Sequence, residues 1–156
     1  MTLQRHNSIV GSVIPACVAG VLPPGVHSAD WWEVEARFAT NPRRRWLLAG
    51  LHDALLELRR VRCPAAFLDG SFVTDKAVPG DFDLCWEHSS VDLGLIDPVF
   101  LDVAPPRAAQ RAKYRGDLLP NVPEGISGNL FVDFFQIDKA TGKPKGIILL
   151  DPRSVT

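Results

Sequence analysis

The chain has few cysteines, little excess charge of either sign and no long uninterrupted apolar run, and each shortage excludes something. Three cysteines, Cys17, Cys63 and Cys85, are too few and too scattered for a disulfide framework or a Cys-x-x-Cys zinc site. They fit a reducing cytoplasm. A formal net charge of -1, with Arg43, Arg44 and Arg45 as the tightest basic group, argues against a dedicated nucleic-acid-binding domain and leaves room for a local phosphate site. The apolar stretch at residues 8–26 (SIVGSVIPACVAGVLPPGV) is interrupted by Pro15, Pro23 and Pro24 and is short of a membrane span. It is expected to form an extended arm rather than a secretory or membrane segment. Repeats, low-complexity tracts and internal linkers are also absent.

At 156 residues the chain is long enough for one domain that buries roughly 70% of its unfolded surface. The expected organisation is an N-terminal arm over residues 1–27 packed on a single domain, 28–156. Ser28 is placed to cap a first helix, Ala29 to about Ala39, with Trp31, Val34 and Phe38 on one face. Asn41-Pro42 opens a second helix reaching about Arg62, whose buried stripe is Leu48, Leu51, Leu55 and Leu58. The arginine run at its start spreads around the helical turn and reads mostly as a solvated surface. Short strands are expected at 65–68 (AAFL), 81–86 (DFDLCW), 130–137 (LFVDFFQI) and 146–150 (GIILL), the last two as a hairpin, with a basic helix over 107–115 (RAAQRAKYR). Helices ahead of a mixed sheet make an α+β or α/β domain.

The stretch LDGSFVTDKAVPGDFDLCW (68–86) holds a Gly-Ser turn and, ten residues after the serine, two aspartates around one phenylalanine. On a regular strand Asp81 and Asp83 would share a face about 7 Å apart. Like charges that close need something positive between them. Asp133, flanked by Val132 and Phe134 in an apolar run, would add a third carboxylate if its strand lay alongside. A buried carboxylate must be paired, protonated or metal-bound, and hard oxygen donors suit Mg²⁺ or Mn²⁺. Gly70 would let a phosphate approach the backbone, and Ser71 would offer a hydroxyl at the start of a short helix.

The order of hydrophobic strand, Gly70-Ser71, nine residues, Asp81-Phe82-Asp83 and a separated Asp133 resembles the signature of the DNA polymerase β-type nucleotidyltransferase superfamily. The resemblance implies a small mixed sheet flanked by helices. It implies that Asp81 and Asp83 bind both metals and that Asp133 binds one and helps activate the acceptor. Gly70 and Ser71 would hold the phosphates of a nucleoside triphosphate, with Lys76 and Lys145 as further nucleotide contacts. Lys76 stands in FVTDK, where minimal nucleotidyltransferases that act as antitoxins often carry an arginine. LPPGVH, RFATNPRRRWLLAGL, DPVFLD, RAAQRAKY, VDFFQID and GKPKGIILLD further resemble a bacterial family of small proteins of unknown function with a nucleotidyltransferase-like fold.

These resemblances imply transfer of an NMP group, AMP in the first instance, onto a hydroxyl of a protein, an RNA or a small molecule. A toxin-antitoxin or defence setting with a partner toxin is part of the same analogy. The competing expectation is an inactive module of the same fold that binds a nucleotide or a partner protein. A nuclease or phosphatase is disfavoured, since hydrolysis needs no triphosphate cradle. Asp92, Asp97, Asp102, Asp117 and Asp138 are expected in loops or caps, His27 and His52 in structural or solvent-facing roles, and the tryptophans in packing.

Overall fold

The computed structural model of the chain describes residues 14–156, so the first half of the expected arm lies outside the described residues. Five short strands form one mixed sheet: β1 (Gly25–Ser28), β2 (Ala66–Asp69), β3 (Asp83–Trp86), β4 (Asp117–Pro120) and β5 (Gly146–Leu150). Their order is β1-β5-β2-β3-β4. Central β2 runs antiparallel to both β3 and β5, while β1 joins β5 and β4 joins β3 in parallel. Among the described residues there are four α-helices, α1 (Trp31–Phe38), α2 (Pro42–Arg60), α3 (Ala108–Tyr114) and α4 (Phe131–Phe134). The fold is therefore mixed α/β.

Period-two alternation assigns the strand residues to two different environments. Ala66, Leu68, Leu84, Trp86, Leu118, Ile148 and Leu150 enter the main core, where Leu47, Leu51, Leu55 and Leu58 of α2 cover them. Cys85, Leu119 and Ile147 point the other way, into a smaller cluster with Phe135 and the partly buried Phe67, Phe131, Val132 and Phe134. Asp69, Asp83 and Asp117 each stand two residues from a member of this second set, so they share its face.

Several boundaries differ from the sequence expectation. Residues 25–28 join the sheet as an edge strand, with Leu22 and Ile14 buried behind it. Ser28 therefore stays in β1 and Asp30 starts α1, its backbone N–H donating to Glu33 Oε2 at 2.8 Å. The largest correction concerns 130–137, which is not a strand and makes no hairpin with 146–150. It is the short helix α4 followed by turns, and it touches the segment before β5 only through an isolated Ile137–Pro144 bridge. The physical reason is cover. Rolled into a helix, the segment presents Phe131, Phe134 and Phe135 at i, i+3 and i+4, their rings 5.8 to 6.3 Å apart, over an apolar sheet face that would otherwise meet water.

Helix α2 begins as expected, Asn41 Oδ1 accepting from the Arg44 N–H at 2.9 Å. The arginines behind that cap are not mostly solvated. Arg44 is 4% exposed, and its guanidinium donates to the carbonyls of Phe72 (2.6 Å), Thr74 (2.8 Å) and Lys76 (2.6 Å). Arg43 donates to the carbonyls of Pro79 and Gly80. Adjacent arginines thus tie down both halves of the loop between β2 and β3. Replacing Arg44 by Ala would leave three carbonyls without that donor and is expected to cost about 3 kcal/mol in urea unfolding. Arg45→Ala, at an exposed position of the same turn, is expected to stay within about 0.5 kcal/mol of the native chain.

Candidate functional site

Strand register decides which acids meet. Asp69 on β2 pairs with Asp83 on β3, and Asp83 pairs with Asp117 on β4. Directly paired residues on neighbouring strands project to the same face, so three carboxylates stand in a row across the end of the sheet. Asp81 follows two residues before Asp83, its side chain about one third exposed. Gly70 completes the row's geometry. Its φ is +87°, and a Cβ there would lie 2.8 Å from Asp83 Oδ2 and 3.2 Å from the Asp83 nitrogen. Only glycine fits, because the space of the missing side chain is taken by the Asp83 carboxylate.

Cations flank the row but leave its middle bare. Asp117, 4% exposed, is gripped by Arg111, Nε to Oδ1 at 2.9 Å and Nη2 to Oδ2 at 3.1 Å, with Arg107 Nη2 at 3.4 Å. Burial works against ionisation there, but the two arginines win and hold the Asp117 carboxyl below the usual range. Asp69, 2% exposed, has Lys145 Nζ at 3.3 Å from Oδ2 and 3.2 Å from Oδ1, yet burial still raises its pKa. Its Oδ1 is buried and lacks a hydrogen bond of acceptable geometry despite the nearby ammonium. Asp83, between them, is pushed up to about 7 by burial and then by the charges of Asp69, Asp81 and Asp117. Asp81 is raised by burial and by Asp117, with Arg111 (3.4 Å), Lys76 and Arg43 offsetting.

A groove of about 280 Å³ opens beside the Asp69 end of the row. Gly70, Ser71, Asp83 and Lys145 line it, together with Phe134 and Lys139. Ser71 opens a 3₁₀ turn, Ser71–Val73, closed by the Thr74 hydroxyl donating to the Ser71 carbonyl at 2.6 Å. Of the residues singled out in the sequence, Asp83, Gly70, Ser71 and Lys145 are thus brought together in the groove, while Asp81, two residues before Asp83, lies outside its lining. Asp133 and Lys76 are not in the groove. Asp133 is exposed on α4 and lies on no strand; Lys76 is exposed and lines a neighbouring hollow with Arg37 and Arg44.

Sequence reasoning missed Asp69 and misplaced Asp117, which is a strand residue rather than a loop or cap. The signal for Asp117 was Gly116-Asp117 followed by two leucines. Gly116 is needed because a Cβ would come within 2.6 Å of the Phe82 ring. Gln110 was also missed. Fully buried, it donates to the Leu118 carbonyl at 2.9 Å and accepts from the Leu118 N–H at 2.8 Å, fastening α3 to the edge strand that carries Asp117.

The donors are carboxylate oxygens with a hydroxyl and an ammonium nearby, a set suited to a hard divalent cation and an anionic ligand. Among the described residues no group of three or more His, Cys, Asp or Glu side chains is already gathered tightly enough to count as a metal centre.

The raised Asp83 has a consequence for stability. Its carboxyl is neutral in both states below about pH 4; as pH rises the unfolded chain ionises first, so this contribution to stability is lost through about pH 7. Asp83→Asn removes that loss. The melting temperature of the variant minus that of the native chain is expected to rise between pH 4 and pH 8, measured without divalent cations; a flat difference would mean that Asp83 is not crowded.

Comparison with protein-family models matches residues 15–151 to a family of unknown function, DUF6932. Searches of curated proteins and of solved structures found no match. The matched span runs from before β1 to the residue after β5 and takes in the whole acid row and its groove, so the chain belongs to the family of unknown function DUF6932.

Proposed function

We propose that the chain is a metal-dependent nucleotidyltransferase of the DNA polymerase β type, moving an NMP group from a nucleoside triphosphate to a hydroxyl, with Asp81, Asp83 and Asp117 as its acid set. The observation that carries this reading is the register of Asp83 with Asp117 beside the Gly70-Ser71 turn. Asp117 takes the place that the sequence assigned to Asp133, because it is the carboxylate directly across from Asp83.

The residues fit a divalent cation. Asp83 is crowded by three carboxylates and forms no salt bridge among the described residues, the charge of Lys139 only partly offsetting them, and Asp69 keeps a buried oxygen without a hydrogen bond. Mg²⁺ or Mn²⁺ would be held by Asp81, Asp83 and Asp117, and would neutralise them and acidify an attacking hydroxyl. The chain's own groups do the rest. Gly70 sets the turn so that Ser71 faces the groove, while Lys145 and Lys139 bring positive charge to the phosphates of the donor nucleotide. Phe134 offers the groove an apolar surface against which a base would pack. Arg107 and Arg111 orient Asp117 and keep it ionised.

A second reading, a non-catalytic nucleotide-binding module, draws on one observation. Arg111 grips Asp117 and also reaches Asp81, so two of the three acids are already countered from within the chain. Incubation with each α-³²P-labelled NTP, Mg²⁺ or Mn²⁺ and cell lysate separates the readings. Transfer of label is expected from the native chain and from Asp133→Asn, and none from Asp117→Asn or from Asp81→Ala/Asp83→Ala, with melting curves confirming that each variant folds. Loss of transfer in Asp133→Asn with retention in Asp117→Asn would return the third acid to α4. Nucleotide binding by calorimetry without transfer from any form would favour the binding module.

A further inference from the structure

Three cations near the Asp81 end of the acid row form no salt bridge among the described residues. Arg43 spends its hydrogen bonds on the Pro79 and Gly80 carbonyls, immediately before Asp81. Arg115, two residues before Asp117, donates to the Trp46 carbonyl at 2.6 Å. Both guanidiniums stack on the Trp46 ring, at 4.6 Å for Arg43 and 4.4 Å for Arg115. Lys76 is exposed, and its charge reaches Asp81 together with those of Arg43 and Arg111. Trp46 itself is 44% exposed and the Arg111 side chain 49%.

An arginine fixed by carbonyls and an indole keeps its full charge, and its position is set before any ligand arrives. Two such arginines, a lysine and a shared arginine therefore make a preorganised cationic shelf on a chain whose net charge is -1. None of these residues lines the groove beside Ser71 and Lys145, so the shelf is separate from the surface that the donor triphosphate would use. A folded protein acceptor would call for a broad, largely uncharged contact, whereas spaced guanidiniums around an exposed aromatic suit a flexible chain of phosphates.

We infer that the shelf formed by Arg43, Trp46, Lys76 and Arg115 binds the phosphate backbone of single-stranded RNA and presents its terminal hydroxyl at Asp81, which makes an RNA end the acceptor. The inference rests on the nucleotidyltransferase reading for the transfer step, though not for binding. In that step the terminal hydroxyl oxygen forms a bond to the α-phosphorus of the NTP, and the bond from that phosphorus to the α,β-bridging oxygen breaks. Pyrophosphate leaves, and the hydroxyl proton passes to a carboxylate of the acid row and on to solvent. The RNA grows by one nucleotide.

Fluorescence anisotropy with a labelled 20-nucleotide single-stranded RNA, without NTP or metal, tests the surface alone. Binding by the full chain is expected to weaken with salt. Arg115→Gln and Lys76→Gln are each expected to weaken it about fivefold and to flatten the log affinity against log salt slope by about 0.7. Arg115→Lys is expected to restore most of the slope, and melting curves check that each variant folds. Labelling with α-³²P-NTP in total RNA is then expected to fall in the same variants. RNA binding with these properties but no labelling by any form would keep the surface and remove the transferase reading. Label on protein alone, absence of RNA binding, or binding unchanged in both Gln variants would overturn the inference.

Discussion

The crowding of negative charge at one end of the sheet is the constraint around which this structure is arranged. Asp69, Asp83 and Asp117 are forced together by strand register, and a sheet end holding three carboxylates in a row is unfavourable in any low-dielectric setting. The chain answers from both sides. Lys145, arriving just before β5, meets Asp69, and Arg107 and Arg111 meet Asp117 from one turn of α3. Asp83 in the middle forms no salt bridge among the described residues and feels only the more distant charge of Lys139, and the backbone of Gly70 presses close against its carboxylate. Of the three it is the one whose pKa moves to about 7. The outer two are ion-paired within the chain, Asp117 more fully than Asp69, whose Oδ1 lacks a hydrogen bond; the central one stores an unfavourable interaction that protonation or a ligand would relieve.

The rest of the fold keeps this arrangement rigid. On the face that carries the acids, one half is polar and the other apolar, divided between the row at Asp69, Asp83 and Asp117 and the row at Phe67, Cys85 and Leu119. The aromatic residues of α4 cover the apolar half and stop short of the acids, and the groove is what remains between. On the opposite face α2 packs its leucines, while its first turn sends Arg44 into the loop after Ser71. One helix thus supplies both core and loop anchor. That economy explains how a three-residue 3₁₀ turn can hold Gly70 at positive φ beside a charged group without a longer helix behind it.

What was legible in the sequence was whatever depended on local signals. Asn41-Pro42 fixed the start of α2, the leucine spacing fixed its buried face and Gly70-Ser71 marked the end of β2, whereas the strand expected from Asp81 begins only at Asp83 and leaves Asp81 in the loop. The misreadings share a cause. LFVDFFQI is a short apolar run, and periodicity alone cannot tell a strand from a helix turn there. Its Phe131, Phe134 and Phe135 already carried helical spacing, but the lone Asp133 drew the reading toward a buried acid on a strand. DLLP, expected as loop because Asp117 reads as a loop or cap residue, forms edge strand β4, where Pro120 is tolerated because no ladder bond is required of it. Arg44 was taken for surface because nothing in the sequence announces three carbonyls waiting from residues 72 to 76.

Under the proposed acid set the third carboxylate lies in the 110s rather than the 130s, and that changes what couples to what. With Asp117 paired to Asp83 across the sheet, the acid row lies between α3 and the loop from Ser71 to Gly80, two elements joined through the first turns of α2. Arg43 holds the loop at Gly80, Trp46 stacks on Arg43, Arg115 stacks on Trp46, and Asp117 follows two residues later. A shift of any one member must move the next, since the contacts are stacked rings and hydrogen-bonded guanidiniums rather than long flexible ion pairs. Arg111, paired with both Asp81 and Asp117, links the two acids directly, and the first turns of a nineteen-residue helix hold the loop before Asp81 and the residue two before Asp117. Within the described residues the arginine-tryptophan ladder braces this loop from inside the chain.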